Sequence, residues 1–247
     1  MCIRDSLGTA LELSGKRVLL IDLDPQANMS AYLGFEDDDK STMSDLVMTT
    51  ANNFTMGAQK REMPSMDECV RYSEINKVHF IPSDIGLAYA DACMMQAAQR
   101  ESVLKFILSD KAIQEYDYVI IDCLPSLGIL LINALTASDG VIIPVQTQKF
   151  ALDGLDMLSE IYNQVKETIN PKLDITGVLA TMADNTNISR SVVEKLTERY
   201  GNKMFCTQIH KSVEAANSSE RMKSLCLNKT KLGEEYKALA TEIMSRT

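Results

Sequence analysis

Blocks of consecutive apolar residues, rich in Val and Ile, alternate along the chain with stretches whose apolar residues recur at helical spacing. Short continuous apolar blocks are typical of buried strands. The predicted strands are Arg17–Leu23, Lys77–Pro82, Asp117–Asp122, Gly140–Val145, Asp174–Thr181 and a short sixth candidate, Lys203–Cys206. Strands that are apolar on both faces suit a parallel sheet with helices on each side.

Helices are predicted between and after these strands. Their ranges are Leu7–Ser14, Ser83–Gln99, Glu101–Glu115, Leu127–Ala137, Ala151–Ile169, Ser189–Tyr200 and Lys231–Met244. Ser6 is the predicted N-cap of the first helix, and Gly15 is its predicted stop. The alternation predicts one α/β domain over residues 1–247, with a mostly parallel, doubly wound sheet and helices on both faces. Residues 35–67 are polar, Met-rich and weakly periodic, and are predicted to be an insertion of short helices and loops.

The composition is that of an ordinary globular protein, with 45% hydrophobic and 24% charged residues. No apolar run is long enough to cross a bilayer, so we expect no membrane partner. The six cysteines form no C-x-x-C pair, which disfavours a zinc ribbon or a redox motif. Reduced thiols of a cytoplasmic protein are the expected state.

The charge is distributed unevenly along the chain. The net charge of −9 argues against a protein that coats nucleic acid over its whole surface. From Asp184 to the end, however, 11 Lys and Arg face 8 Asp and Glu, a balance of +3 against −12 for the remainder. Lys195 and Arg199 are four residues apart and share one face of a predicted helix. A confined basic surface is one interpretation, and a solvated helix face is the alternative.

Two carboxylates, Asp22 and Asp24, lie at the end of the first predicted strand, on the same side of it. In open α/β sheets, ligands bind beyond the carboxyl ends of the strands. Acidic side chains there can hold the water shell of Mg²⁺ or orient a reacting water. The alternative is a pair of acids that only cap the next helix, and the spacing alone does not decide between them.

A third carboxylate, Asp122, ends the apolar block of residues 117–122. This is the form of a Walker B residue, which coordinates Mg²⁺ through water beside bound phosphates. An apolar strand that ends in Asp is common, so this pattern alone is weak evidence.

Three segments together resemble the ParA/Soj-type partition ATPases, which are related to the MinD-like deviant P-loop proteins. The segments, in chain order, are GKRVLLIDLDPQAN, YDYVIIDCLPSLGILLINAL and VIIPVQTQKFALDGLDML. The resemblance implies a P-loop NTPase-like fold that binds ATP and Mg²⁺ and forms a homodimer when ATP is bound. It also implies that Asp24 positions the hydrolytic water, that Asp122 supports Mg²⁺ through water, and that Asp22 belongs to the same metal region.

The resemblance extends to a predicted adenine site. Residues 181–184 match the T-M-x-D pattern of the family, while residues 209–212 read I-H-K-S where the family has I-P-R-N. Met182, Ile209, His210 and Lys211 would then flank adenine. An exposed loop histidine is the alternative for His210.

The family begins with a strand and a KGGVGKTT-like loop whose backbone amides bind phosphate. The opening residues MCIRDSLGTA do not match that loop. We therefore expect residues 1–6 to be an unrelated leader on a truncated sequence. For the same reason, we expect the 247-residue chain to bind ATP weakly and to be inactive as an ATPase.

The resemblance implies a nucleotide-switched dimer in plasmid or chromosome segregation, located in the cytoplasm on the nucleoid. It would bind duplex DNA without sequence preference and respond to a ParB-like partner protein. The candidate DNA contacts are Lys195, Arg199, Arg221 and Lys223. One alternative is an inactive ParA-like binding or regulatory module. Another is a MinD-like positioning ATPase, which the acidic end KLGEEYKALATEIMSRT disfavours because it lacks a basic amphipathic character.

Overall fold

A computed structural model of the protein describes residues 3–123, 126–148 and 153–247. The chain divides into two compact units, and the boundary lies between Ala137 and Ser138. We call residues up to Ala137 the N-terminal unit and residues 138–247 the C-terminal unit. Within the described residues, each unit has a sheet of its own.

The N-terminal unit contains a sheet of strand order β2-β3-β1-β4. The strands are β1 (Val18–Leu23), β2 (Arg71–Ser73), β3 (Val78–Ile81) and β4 (Tyr118–Cys123). Strand β1 is parallel to both β3 and β4, whereas β2 is antiparallel to β3. Every residue of β1 is buried, as its continuous apolar sequence predicts for a central strand.

The N-terminal unit also contains helices, several of which pack apolar residues against this sheet. They are α1 (Ile3–Leu13), α2 (Asn28–Tyr32), α3 (Met43–Phe54), α4 (Met66–Cys69), α5 (Gly86–Met94), α6 (Val103–Ile107) and α7 (Ile129–Ala137). Short 3₁₀ turns occupy Arg100–Ser102 and Ile113–Glu115. Leu46 of α3, Leu87 of α5 and Leu104 of α6 join Leu19 and Ile21 of β1 in one apolar core. Burial of these side chains is the main force that holds the layers together.

The C-terminal unit contains a parallel sheet of order β5-β6-β7 within its described residues. The strands are β5 (Gly140–Gln146), β6 (Asp174–Ala183) and β7 (Ile209–His210). The helices are α8 (Asp153–Thr168), α9 (Asn187–Tyr200), α10 (Glu214–Glu220) and α11 (Lys231–Met244), with 3₁₀ turns at Gly201–Lys203 and Leu225–Leu227. Ile143 and Val145 of β5 pack with Val178 of β6 and Leu196 of α9.

Five of the predicted strands and the last helix are confirmed, with ends that shift by a residue or two. The sixth strand was misplaced, because Met204 forms only an isolated bridge to Val178. The strand that pairs with β6 in that region is Ile209–His210. Strand β2 and helix α10 were not predicted, since each is short and weakly apolar.

The helix predictions fail mainly at the ends. Ser6 is buried inside α1, so its prediction as N-cap is wrong. Gly15 has φ +83° and does end that helix, since this left-handed conformation favours glycine. The predicted helix 101–115 is broken into a 3₁₀ turn, α6 and a second 3₁₀ turn. The predicted helix start at Ala151 lies outside the described residues.

The segment predicted as an insertion, residues 35–67, contains the twelve-residue helix α3, whose apolar face joins the core. Among the described residues, none of the helices combines the length and the apolar character needed to cross a membrane.

Candidate functional site

The candidate carboxylates meet at the carboxyl ends of two neighbouring strands. Strands β1 and β4 are parallel, and their register sets Asp22 directly opposite Asp122. Both side chains are buried, Asp22 to 0% exposure and Asp122 to 3%. Asp24 follows immediately after β1 and is partly exposed. The pairing of the strands therefore brings together three acids that are distant or merely adjacent in the sequence.

Asp22 is held by hydrogen bonds from the turn that follows β1. Its Oδ2 accepts from the Ser30 amide at 2.8 Å and from the Ser30 hydroxyl at 2.6 Å. Its Oδ1 accepts from the Asp24 amide at 3.1 Å. Burial raises the pKa of Asp22 above its ordinary value, although these hydrogen bonds act in the opposite direction. The carboxylate thus has a structural function in the turn, whatever else it binds.

The Ser30 hydroxyl also connects β1 with the end of β3. Ser83, two residues after β3, donates its amide to the Ser30 Oγ at 2.9 Å. Ser30 is 0% exposed. One hydroxyl therefore accepts from one neighbouring segment while it donates to the buried carboxylate of Asp22.

Asp24 is placed in a tight turn between β1 and α2. Its Oδ1 accepts from the Gln26 amide at 2.8 Å, the bond of an Asx turn. Ala27, at the start of α2, has φ +51°, a left-handed conformation that is uncommon for a residue with a Cβ. Backbone strain of this kind is concentrated at functional sites. The turn presents Asp24 at the strand end, where a ligand of an open α/β sheet would lie.

Asp122 is the carboxylate whose protonation is most perturbed. Burial raises its pKa to about 7, the Arg4 guanidinium opposes this increase, and the neighbouring Asp22 carboxylate adds to it. Arg4 forms an ion pair with Asp122.

The buried acids fit a divalent cation. Two carboxylates in register and out of water repel each other, and a bound cation would stabilise both in the ionised form. In the described part of the chain, no group of three or more His, Cys, Asp or Glu is arranged to hold a metal ion. Mg²⁺ commonly binds one or two protein carboxylates and completes its shell with water and phosphate oxygens. Asp122, with Asp22 beside it, therefore remains the predicted Mg²⁺ position.

Asp84 was not predicted from the sequence, and it organises the segment after β3. Its carboxylate accepts from the Thr42 hydroxyl, from the Ser44 hydroxyl at 2.9 Å and from the Gly86 amide at 2.6 Å. It thereby joins the N-termini of α3 and α5. Thr42 and Asp45 also form a capping box at the start of α3, a signal that was readable from their spacing.

The C-terminal unit brings together the residues predicted to flank adenine. Thr181 and Ala183 of β6 pair with Ile209 and His210 of β7, and the Lys211 amide donates to the Ala183 carbonyl at 3.0 Å. Ile209 is buried, His210 is partly buried and Lys211 is exposed. The predicted residues therefore share one strand end, although Ile209 contributes its side chain to the core.

Met182 interrupts the pairing of β6 with β7 in a left-handed conformation, φ +54°. The Thr147 hydroxyl donates to the Met182 carbonyl at 3.2 Å. In turn, the Ser189 hydroxyl donates to Thr147 Oγ1 at 2.9 Å. These two buried hydroxyls hold the bulge, and neither was identified from the sequence.

His210 is part of strand β7 and is fixed by Glu235 of α11. Its amide donates to Glu235 Oε2 at 2.9 Å, and its Nδ1 lies 2.8 Å from Glu235 Oε1. His210 therefore lies on a strand rather than in a loop, although its side chain is 43% exposed.

The candidate DNA contacts form two pairs on different elements of the C-terminal unit. Lys195 is exposed on α9, and Arg199 on the same helix is bonded to Asp156 at 2.7 Å. Arg221 and Lys223 follow α10 and line a pocket of about 120 Å³. Arg199 is thus partly neutralised, while Lys195 and Arg221 are exposed cations.

Most of the chain is similar to proteins of known families. The AAA domain family matches residues 4–175. The sporulation initiation inhibitor protein Soj of Bacillus subtilis (strain 168) is 36% identical over 242 residues, which cover 96% of this chain and 90% of Soj. The chain belongs to the ParA/Soj family of P-loop ATPases. The chromosome partitioning protein ParA of Caulobacter vibrioides (strain NA1000 / CB15N) is likewise 36% identical over 246 residues, or 98% of this chain and 87% of that protein.

Solved structures confirm the predicted P-loop NTPase-like α/β fold. Cobyrinic acid a,c-diamide synthase from Mycobacterium smegmatis superimposes with a TM-score of 0.78 at 29% identity, covering 97% of this chain and 86% of that chain. It has been solved with ADP and magnesium and with an ATP analogue and magnesium. ATP and Mg²⁺, the predicted cofactors, are accordingly those of the family.

Proposed function

We propose that the protein is an ATP-dependent partition protein whose site for ATP hydrolysis lies at the carboxyl ends of β1 and β4. The observation that carries the proposal is the pairing of Asp22 with Asp122 in register, with Asp24 one turn beyond. The membership of the ParA/Soj family supports the role in chromosome or plasmid partition.

In this mechanism each acid has its own task. Asp122, with Asp22 beside it, would hold Mg²⁺ through water, and the bound cation would supply positive charge beside the phosphates of ATP. Asp24, which is outside the buried pair, orients the water that attacks the terminal phosphate. Met182, Ile209, His210 and Lys211 flank the adenine, and the strained Met182 backbone supports a ligand there.

The test uses the protein extended at its N-terminus by a strand and phosphate-binding loop of the family. Asp24→Ala should lower kcat by at least about 10²-fold while the Kd for ATP changes little, because an acid that orients water acts chiefly in the transition state. Asp122→Asn should in addition raise the Mg²⁺ concentration needed for ATP binding. The matched control is Asp110→Ala, since Asp110 is an exposed aspartate with the same Asx-turn bond, here from the Ala112 amide at 2.9 Å. Parental turnover in Asp24→Ala would refute the assignment.

The adenine contacts have a separate test. Met182→Ala and His210→Ala should weaken ATP binding and leave kcat at saturating ATP nearly unchanged, since contacts to the base are equally strong in the ground and transition states. A fall in kcat without a change in Kd would contradict this placement.

We also propose that the ATP-bound protein is a homodimer that binds duplex DNA without sequence preference and responds to a ParB-like partner. The protein would then be located in the cytoplasm, on the nucleoid. The support is the +3 balance from Asp184 to the end, with exposed Lys195 and Arg221. Lys223 adds to this charge, and Arg199 would contribute after exchanging Asp156 for a phosphate.

The DNA proposal is tested by gel shifts over a salt series, with and without ATP. Lys195→Glu and Arg221→Glu should weaken binding equally for unrelated sequences and reduce the slope of log K against log salt by ~1 for each lost phosphate contact. Lys105→Glu, an exposed charge reversal in the N-terminal unit, is the control. Salt-insensitive, sequence-selective or ATP-independent binding would refute this part of the proposal.

A further inference from the structure

A buried hydroxyl connects three segments of the N-terminal unit at the candidate site. Ser30 belongs to α2, receives a hydrogen bond from the Ser83 amide after β3, and donates one to Asp22 at the end of β1. Its own amide bonds the same Asp22 oxygen. The other Asp22 oxygen receives the Asp24 amide. An unbroken set of hydrogen bonds therefore leads from Ser83 to the main chain of Asp24.

The geometry points to Ser30 as a positioning residue that acts through Asp22 to fix the Asp24 turn for water attack. This inference rests on the proposed role of Asp24 as the acid that orients water. Ser30 itself does not touch substrate in this scheme. It acts by keeping the Asp22 carboxylate in one orientation, and that carboxylate in turn anchors the Asp24 amide.

The chemistry of the position requires a hydroxyl. The Ser30 Oγ has to accept from the Ser83 N–H and donate to Asp22 at the same time, and only Ser, Thr or Tyr among neutral side chains offers both functions on one oxygen. Removing it would take from the buried Ser83 amide its bond to Ser30 and would leave Asp22 Oδ2 with only the Ser30 amide. Buried polar groups without partners are costly, so the turn would rearrange to find others.

A rearrangement of the turn would affect turnover more than binding. The Asp24 side chain is set by the bond to the Gln26 amide and by the anchored Asp24 main chain. A displacement of about 1 Å of a group that orients a reactant can lower a rate by up to ~10²-fold. Contacts that bind ATP without discriminating the transition state would be retained.

The decisive comparison is between two variants of equal size, Ser30→Thr and Ser30→Val, in the protein extended by the phosphate-binding loop. The threonine keeps the hydroxyl and the valine removes it. We expect Ser30→Thr to retain kcat within about threefold, and Ser30→Val to lose at least about tenfold, with KM for ATP within about twofold in both. Ser73→Ala is the control, because Ser73 is also buried and its hydroxyl donates to the Leu33 carbonyl at 2.8 Å. It should lower stability without changing kcat.

Asp22→Asn separates positioning from metal binding. If Asp22 acts by positioning, this variant should lower kcat at saturating Mg²⁺, as Ser30→Val does. A kcat of Asp22→Asn that returns to the parental value at saturating Mg²⁺ would show that Asp22 acts only on the metal, and would overturn the inference. Equal kcat in Ser30→Thr and Ser30→Val would overturn it as well.

Amide hydrogen exchange on the 247-residue chain provides a readout that needs no ATP hydrolysis. In Ser30→Val, but not in Ser30→Thr, exchange at the Ser83 and Asp24 amides should rise at least about tenfold. If Asp24 exchange is unchanged, the link does not exist. If the extended parental protein has no ATPase activity while the exchange result holds, the proposed function fails and the positioning of the turn by Ser30 stands.

Discussion

Replacing Gly177, in the middle of β6, by alanine adds a single methyl group and should strongly destabilise the fold. A Cβ built there would lie 2.5 Å from the Phe205 Cζ and 2.8 Å from the Arg246 Nη1. Phe205 is only 3% exposed, so its ring has little room to move. The Arg246 guanidinium lies 4.2 Å from the centre of that ring. It also donates to the carbonyls of Thr176, Lys203 and Met204 at 2.8 to 3.1 Å.

Two effects add up in Gly177→Ala. Overpacking of a well-packed core costs ~1–3 kcal/mol. Displacement of Arg246 removes hydrogen bonds from a charged donor, and each of these contributes ~1.5–3 kcal/mol. If the ring moves and one such bond is lost, the free energy of unfolding should fall by about 3–5 kcal/mol. This is a large fraction of the ~5–15 kcal/mol that stabilises a typical domain.

Urea unfolding followed by far-ultraviolet circular dichroism measures this loss. The control is Gly154→Ala in α8, where a Cβ meets no atom within 4 Å. There the exchange should change the free energy of unfolding by less than about 1 kcal/mol, because Gly154 is close to the helix start and the added methyl group meets no neighbour. A free energy of unfolding of Gly177→Ala within about 0.5 kcal/mol of the parental value would refute the packing argument. It would mean that Phe205 and Arg246 move aside without any loss of stability.

Other variants test individual polar contacts by the same unfolding assay. Asn133→Ala should lower the free energy of unfolding by about 2–4 kcal/mol, because the buried side chain of Asn133 accepts from the Leu104 amide at 3.0 Å. A decrease of less than about 1 kcal/mol would contradict this. Thr42→Ala should cost ~1–2 kcal/mol through loss of the α3 cap, and Thr42→Ser should restore most of it. Burial acts to raise the pKa of Glu242, but hydrogen bonds from Cys206 and other donors outweigh it and hold that pKa below its ordinary value of 4.5. Ionised Glu242 therefore stabilises the fold above that value, and the stability gap between the parent and Glu242→Gln should shrink as the pH falls through the lowered pKa. A gap that is constant with pH would exclude this contribution.

Local patterns in the sequence determined most of the sheet. The strand blocks were visible because a buried parallel strand needs consecutive apolar residues, and this requirement does not depend on which strand lies next to it. The same patterns located Asp22, Asp24 and Asp122 at strand ends. Helix ends were less accurate, as for Ser6, which is buried within α1 because packing against the core outweighs its preference as a cap.

What the sequence determined by itself is the order of elements and the identity of the candidate acids. The tertiary structure decided which groups meet. The register of β1 with β4 sets Asp22 opposite Asp122, and the fold places the Ser83 amide against Ser30, 53 residues earlier. The last strand is Ile209–His210, which pairs with β6, rather than the predicted Lys203–Cys206. The physical reason is that a hydrogen bond between distant segments produces no repeating pattern in the sequence. It needs only one polar atom in each segment, and the two atoms meet only when the chain folds.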